Sequence, residues 1–302
     1  MMLMFFRVAV AVLCFLSPIV TQAANPISTP ARTTTKAIDI APRAITDEGL
    51  PLWELGIGAV GAYTADYPAA GQNHFNAAPI PVIIYRGDFL RVGDGSVARG
   101  RIVKTDRFEF DFSFDGSFPA ESEDNDARQG MPDLDFLLEV GPALKIVLAR
   151  AARDAKIDLE IPLRAAFSTD LTSVDYRGIV FNPKLKYSNE NFLGKNNKFS
   201  VSIGPAFATA ELMDFFYEVE PQFVRTGRSA YQAEGGYLGS RINVGFGMPI
   251  TDRVRGFIGG SLGYYGGAAN ESSPLFKDDL NLSGGVGFIW SIFHSDRRAP
   301  KD

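Results

Sequence analysis

Apolar and polar residues alternate along much of the chain, a pattern that predicts β-strands. The stretch 107–115, RFEFDFSFD, places four phenylalanines on one face and mostly charged residues on the other, because successive side chains of a strand point to opposite faces. A soluble sandwich would bury the apolar face in its core, whereas a membrane barrel would turn it toward lipid. Similar alternation recurs at 53–64, 134–148, 156–167, 199–207, 238–248, 254–265 and 280–293.

The lengths and spacing of these runs favour the membrane barrel. Many span nine residues or more, which exceeds the usual strand of a soluble protein and suits a tilted strand that crosses a bilayer. Long and short connections mostly alternate, as in outer-membrane barrels with long extracellular loops and short periplasmic turns. Strands are predicted near 53–64, 79–86, 88–93, 97–103, 106–116, 133–149, 155–168, 176–188, 197–209, 236–249, 253–266 and 279–293.

We therefore predict an all-β fold, a transmembrane antiparallel up-and-down β-barrel that spans 51–293. The predicted strand count is twelve. It depends on 88–103 forming two short strands that turn at 93–95, and a ten-stranded barrel is the alternative.

The two ends of the chain have different compositions. The apolar run 8–20 has the length of a signal-peptide core and is too short to span a membrane, so we predict a signal peptide over 1–23. Lipidation at Cys14 is the alternative, disfavoured by the large Leu13. Residues 24–50 lack periodicity and are predicted to be a flexible periplasmic segment, and 294–302 a charged periplasmic tail.

The amino-acid composition disfavours several kinds of catalytic and binding site. Cys14 is the only cysteine, so the processed chain would hold no disulfide, thiol nucleophile or cysteine metal site. The net charge of −5 disfavours nucleic acid as a partner. His74 and His294 are predicted on opposite sides of the membrane, and no nucleophile elbow is present. We therefore expect no enzymatic activity, no metal and no cofactor.

Charged residues on the polar strand faces are candidates for the barrel lumen. They have two interpretations: ion pairs that hold the barrel closed, or the lining of a pore whose selectivity they set. Paired carboxylates for acid–base catalysis lack any supporting constellation. The candidates are Glu109, Asp111, Asp115, Asp135, Glu139, Lys145, Lys156, Asp158, Glu160, Arg164, Arg241 and Arg255.

Three further segments lie in predicted loops or turns. Apolar residues at helical spacing within 211–232 predict a short helix that packs into the barrel mouth. The acidic run 121–126 lacks the spacing of a calcium loop, so a solvated loop is the favoured interpretation. The Arg-Gly-Asp sequence at 86–88 is predicted to form a periplasmic turn, where it could not serve adhesion.

The last strand resembles the signal by which outer-membrane proteins present themselves to the barrel assembly machinery. Ser283, Gly285, Phe288 and Trp290 supply its polar residue, glycine and spaced aromatics. Such proteins usually end on a terminal aromatic residue, whereas this chain continues beyond Phe293.

Four segments together carry a wider resemblance. They are 63–88, 216–231, Ser273-Pro274-Leu275 and the last strand. In the first of them Tyr67-Pro68 precedes Ala69-Ala70, where Gly-Ser is usual. In their order and spacing they resemble the MltA-interacting protein (MipA/OmpV) family.

The resemblance implies a barrel in the bacterial outer membrane. Together with the lack of a catalytic set of residues, it favours a non-enzymatic scaffold. Its expected surroundings are outer-membrane lipid and lipopolysaccharide, and its expected partners are a murein synthase and a lytic transglycosylase. The alternative function is a small porin-like diffusion channel with a charged lumen.

Overall fold

The computed structural model contains one antiparallel β-sheet. It describes residues 50–87, 91–92, 100–105, 107–194 and 196–299. The predicted signal peptide, residues 24–49 and 300–302 lie outside this part of the chain. The strands of the sheet are β1 Trp53–Ala65, β2 Asn73–Arg86, β3 Arg91–Val92, β4 Gly100–Lys104, β5 Phe108–Ser117, β6 Phe136–Ala152, β7 Ala155–Thr169, β8 Val174–Phe181, β9 Lys184–Asn189, β10 Lys198–Ala208, β11 Gly236–Pro249, β12 Val254–Tyr264 and β13 Leu280–His294.

Most strands that follow one another in sequence are neighbours in the sheet, and the first strand also pairs with the last. β1 is hydrogen-bonded to β2 on one side and to β13 on the other. β8 and β9 lie end to end between β7 and β10. Over the described residues the sheet is therefore twelve strands wide, with β3 and β4 at its two edges.

The strand bounds differ from the predicted ones mainly in the first hairpin. β2 begins at Asn73 instead of 79, because its weakly patterned first residues continue the pairing with the end of β1. The loop predicted at 65–78 is therefore only 66–72. The two short predicted strands in 88–103 correspond to β3 and β4, while 93–99 lies outside the described residues.

The two faces of the sheet differ sharply. The four phenylalanines of β5 are between 36% and 50% exposed, whereas Glu109 and Asp111 between them are buried. On β7, Leu163 is likewise exposed and Arg164 buried. We call the face with the buried charges the inner face. An exposed apolar face of this extent requires a partner other than water. No helix in the described part of the chain is long and apolar enough to cross a membrane.

Connections at the two ends of the strands differ in length. At the short-turn end lie 105–107, 153–154, 190–197 and 250–253, and at the long-loop end lie 66–72, 118–135, 170–173, 209–235 and 265–279. The chain termini meet at the short-turn end, where Leu52 N donates to Arg297 O over 2.8 Å and Ala299 N donates to Leu50 O over 2.8 Å. The described part of the tail therefore extends the sheet beyond β13.

Candidate functional site

A row of alternating charges crosses four neighbouring strands on the inner face. Glu109, Lys145, Glu160 and Lys184 occupy successive paired positions on β5, β6, β7 and β9. Lys145 Nζ lies 3.6 Å from one Glu160 carboxylate oxygen, and Lys184 Nζ lies 3.6 Å from the other. Lys145 Nζ also lies 3.7 Å from Asp111 Oδ2. Opposite charges directly across paired strands attract, so this row links the four strands.

Two more lysines lie beside this row of charges on the inner face. Lys186 Nζ lies 3.4 Å from Glu160 Oε1, and Lys156 Nζ lies 3.0 Å from Asp158 Oδ2. Asp158 is buried, while both lysines are partly exposed. Glu160 therefore serves as the centre of a cluster of cations rather than as one half of a single pair.

One arginine gathers two carboxylates nearer the long-loop end. Arg164 Nε donates to Glu139 Oε2 over 2.8 Å, and its Nη2 donates to Asp115 Oδ2 over 3.3 Å. Arg164 is only 3% exposed. On the opposite part of the sheet Arg241 Nη2 donates to the hydroxyl of Tyr265 over 3.4 Å. The guanidinium of Arg164 thus holds the carboxylates of Glu139 and Asp115 close together.

A third group lies near the short-turn end. Glu54 forms an ion pair with Arg86, whose Nη2 lies 2.7 Å from Glu54 Oε1, and it accepts hydrogen bonds from Arg255 Nη2 over 3.2 Å and from the hydroxyl of Ser291. Arg86 Nη1 also donates to Pro51 O over 2.8 Å. The arginine of the Arg-Gly-Asp sequence is therefore buried in an ion pair, and Asp88 lies outside the described residues.

The sequence-derived lumen set and the observed groups overlap but are not identical. All of its members except Asp135 lie in strands, on the inner face; Asp135 precedes β6 at the long-loop end. Glu54 and Arg86 are absent from that set. The sequence analysis missed Glu54 because glycines follow it at the alternate positions of β1. The inner face of that strand therefore shows only one charged residue.

Residues of the predicted assembly signal divide between the two faces of β13. Phe288 and Trp290 are each 45% exposed on the apolar face, whereas Gly285 lies on the inner face. A side chain on Gly285 would meet Gly61 O of β1 at 3.0 Å. A small residue there permits the close approach of β1 and β13.

Four segments at the long-loop end fold together into a structure that we call the lid: 66–72, 118–135, 209–235 and 265–279. Their apolar side chains share one core with inner-face residues of the strands. The lid thus packs against the inner face instead of projecting from the sheet. The core residues are Tyr67, Ala70, Leu134, Leu137, Ala166, Val180, Ala208, Leu212, Met213, Phe216, Tyr217, Val219, Ala233, Leu238 and Leu275.

Hydrogen bonds between tyrosines and backbone carbonyls join the lid segments. Tyr67 donates its hydroxyl to Leu275 O over 2.8 Å, and Tyr217 donates to Pro68 O over 2.9 Å. Ser273 Oγ donates to Tyr217 O over 2.8 Å. Burial raises the pKa of both tyrosines, which keeps the hydroxyls protonated as donors. These hydrogen bonds therefore connect three lid segments, 66–72, 209–235 and 265–279.

A buried arginine fixes the fourth segment. Arg128 donates from Nη2 to Pro132 O over 3.1 Å and from Nη1 to Phe216 O over 3.3 Å. Its guanidinium also lies 5.7 Å from the ring centroid of Tyr67, within the range of a cation–π contact. Burial lowers the pKa of Arg128 to about 10, so the group remains charged at neutral pH.

The predicted short helix in 211–232 is confirmed as α1, Ala210–Tyr217. Its first turn lies against Gly178 of β8, where a Cβ atom would come within 2.3 Å of Thr209 Oγ1. Gly178 also has φ of +103°, which side chains rarely adopt. Glycine at this position lets α1 dock on the inner face of the sheet.

The two histidines lie at opposite ends of the sheet. His74 Nδ1 lies 2.7 Å from Asp66 Oδ1, and Asn125 Nδ2 donates to Asp66 Oδ2 over 2.6 Å. His294 is the last residue of β13, at the short-turn end. His74 therefore joins the first hairpin to the lid, and the structure does not bring the histidines together.

The acidic run 121–126 serves mainly as a turn. Ser122 N donates to Asp133 Oδ1 over 2.6 Å, and Glu123 Oε1 accepts from Gly130 N over 3.0 Å. Within the described residues no three or more His, Cys, Asp or Glu side chains are grouped so as to hold a metal ion.

Replacing Asp214 by asparagine is expected to stabilise the lid more at pH 7 than at pH 4. Asp214 lies four residues before Glu218, and burial followed by the charge of Asp214 raises the pKa of Glu218. Burial also raises the pKa of Asp214. A carboxyl group with a raised folded-state pKa contributes stability below its ordinary range and loses it as pH rises through the folded value.

The measurement is the melting temperature of the lid in the wild type and in D214N at both pH values. Asp252→Asn, in a short turn away from the lid, is the matched control and should show no such pH-dependent difference. An equal gain at pH 4 and pH 7 would contradict the titration of this pair.

Comparison with known protein families places the chain in one of them. The family described as MltA-interacting protein MipA matches residues 57–292. The chain belongs to this family. Family membership and the exposed apolar face of the sheet together identify it as an outer-membrane protein. No curated protein is significantly similar to the chain in sequence.

Solved outer-membrane structures resemble it only distantly. The NanC porin is 8% identical, with a TM-score of 0.37, over 78% of this chain and 100% of the porin. Outer membrane phospholipase A from Escherichia coli is 13% identical, with a TM-score of 0.33, over 82% and 94% of the two chains. OprG from Pseudomonas aeruginosa is 11% identical, with a TM-score of 0.23, over 82% and 99%. Similarity at this level carries no information about activity.

Three of the four lid segments overlap segments that resemble the family. Tyr67, Tyr217 and Leu275 are core residues of the lid and belong to three of these segments. Ala69, which stands where glycine is usual, has φ of +62°, a region that favours glycine. The family pattern at these loops therefore reflects the packing of the lid.

Proposed function

We propose that the protein is a closed, twelve-stranded barrel that acts as a non-enzymatic scaffold for murein-processing enzymes. Closure is supported by the pairing of β1 with β13. It is also supported by the two sheet edges, β3 and β4, between which only seven residues of sequence lie. The exposed apolar face would contact lipid, and the inner face would line the lumen. The long-loop end would face the outside and the short-turn end the periplasm.

The lid is the observation that carries the scaffold role. A permeation pathway needs an open mouth, whereas the lid buries an apolar core against the inner face at the long-loop end. Each fully buried large apolar side chain contributes about 1.5–3 kcal/mol, so a core of this size opposes spontaneous opening. The ion pairs beneath it engage the inner-face charges with one another, which suits a structural role.

The family description supplies the proposed partner, an MltA-type murein lytic transglycosylase. Such an enzyme acts on periplasmic murein, so the contact would lie at the short-turn end. That end includes the turns 153–154 and 250–253 and the paired terminal segments. A murein synthase would join the same assembly, and the barrel assembly machinery would recognise β13 during insertion.

Site-specific crosslinking tests this proposal. A photo-crosslinking residue at Arg153, exposed in a short turn, is expected to capture the transglycosylase in cell envelopes. The same residue at Gln222, exposed in the lid, is the matched control and should capture none. Absence of the adduct from position 153 and from the other short-turn positions would reject the scaffold role.

A diffusion channel is the second candidate, and one observation favours it. Arg241 lies on the inner face yet is exposed, and Lys184 and Lys186 are also partly exposed. Water-accessible space therefore remains beside the paired charges. A steady conductance of the wild-type protein in planar bilayers would favour this channel over the capped scaffold.

A further inference from the structure

The basic residues of the lid are few, and most of them lie around one cavity. The four lid segments contain fifteen acidic and four basic residues. Three of the four, Arg225, Arg228 and Lys277, line a cavity of about 170 Å³, together with Asp126. Arg128, the fourth, is buried in the lid core. On a strongly acidic structure, such convergence of cations from two segments calls for an explanation.

Backbone carbonyls hold Arg228 in place. Its Nη1 donates to Ala127 O over 2.9 Å and to Gln129 O over 3.0 Å, and its Nε donates to Phe223 O over 2.9 Å. These bonds orient the guanidinium without neutralising its charge. Within the described residues, Nη2 has no hydrogen-bond acceptor and remains available.

Arg225 is fixed in the same way. Its Nη1 donates to Gln129 O over 3.3 Å, and its Nη2 donates to Asp126 O. Burial, followed by the charge of Arg225, lowers the pKa of Arg228, which reflects two guanidinium groups held close together. No carboxylate of the described residues lies within 4.0 Å of Arg225, Arg228 or Lys277.

We propose that this cavity is a binding site for a phosphate-type oxyanion. Arginine forks match the geometry of phosphate oxygens, and lysine adds a point charge. With Asp126 counted, the cavity lining carries a net charge of +2, and its volume accommodates one phosphate group with a few waters. The carbonyl contacts alone would account for the two arginines but not for Lys277 on a separate segment.

Two sources could present such a group, a lipid headgroup or free phosphate in solution. The cavity lies in the lid, at the long-loop end, so it is remote from the short-turn surface proposed for the scaffold role. The inference rests on the geometry of the lid and does not depend on that role.

Titration of the refolded full-length protein in zwitterionic detergent tests the site. Inorganic phosphate is one arm, and detergent-solubilised lipid that carries a phosphomonoester headgroup is the other, each followed by calorimetry. Lys277→Gln is expected to weaken binding about fivefold, whereas Asp126→Asn should strengthen it. Lys198→Gln, which removes a lysine at the short-turn end, is the matched control and should bind as the wild type does.

The pattern of outcomes identifies the ligand source or overturns the proposal. Binding in both arms, with the opposite effects of K277Q and D126N, supports a site for phosphate in general. Binding of the lipid alone with the same variant effects supports a headgroup site. No binding in either arm, or equal affinities of wild type, K277Q and D126N, would overturn it.

Discussion

Replacing Tyr217 by alanine is expected to release the lid and raise ion conductance through the protein. Tyr217 is fully buried in the lid core. Its ring packs edge to face with Tyr67 at a centroid distance of 6.4 Å, and its hydroxyl donates to Pro68 O. Removal of a large buried aromatic side chain costs about 3–5 kcal/mol, with about 1 kcal/mol more for the hydrogen bond.

The expected effect on the open population is large. Because about 1.4 kcal/mol corresponds to a factor of ten in an equilibrium constant, the open form should rise about a hundredfold or more. Single-channel recording in planar bilayers would report conductance, and limited proteolysis of 224–227 would report release of the lid. Tyr217→Phe keeps the ring and should show a much smaller change.

Phe75→Ala is the matched control, since this aromatic residue is 69% exposed on the apolar face. It should leave conductance and proteolysis unchanged. If Y217A becomes protease-sensitive without any gain in conductance, the lid is not the barrier to ion flow. In that case the paired charges of the inner face would be the remaining obstruction.

The strand pattern was predictable because it depends on a local rule. Alternation in 107–115 and 156–167 gave β5 and β7 nearly to the residue, and the same rule placed Glu109 and Arg164 on the face opposite the aromatic residues. Membrane strands are long and repeat this signal many times. The misses were the start of β2 and the strand predicted at 176–188, which is interrupted after Phe181 and forms two strands, β8 and β9.

The lid was not predictable from such a rule. Its core joins residues that are far apart in the chain, such as Tyr67 and Leu275, through contacts that no periodicity encodes. The sequence did predict a short helix within 211–232 and the family-like segments, but not their convergence. Glu54 and Arg86 were likewise missed, since their pairing depends on β1 and β2 lying side by side near β12.

Replacing Arg164 by methionine is expected to destabilise the sheet strongly. Arg164 is almost fully buried and holds Glu139 and Asp115 together. Its removal leaves two neighbouring carboxylates without their cation, and breaking a buried pair in this way costs about 3–5 kcal/mol. Because the Asp115 side chain is 51% exposed, water offsets part of the loss, and the lower end of this range, about 3 kcal/mol, is expected.

A double-mutant cycle separates pairing from the other effects of the substitution. Glu139→Gln added to R164M removes the more buried of the two uncompensated charges and leaves Asp115, which is half exposed. The double variant should therefore regain part of the lost unfolding free energy, measured by urea titration in detergent. Lys198→Met breaks the exposed pair with Glu190, 2.9 Å apart, and should cost less than about 1 kcal/mol. Strictly additive losses in R164M/E139Q would show that the guanidinium stabilises the sheet through packing alone. Arg164, Glu139 and Asp115 would then be candidates to guide a solute, which is the condition that the channel requires and the scaffold does not.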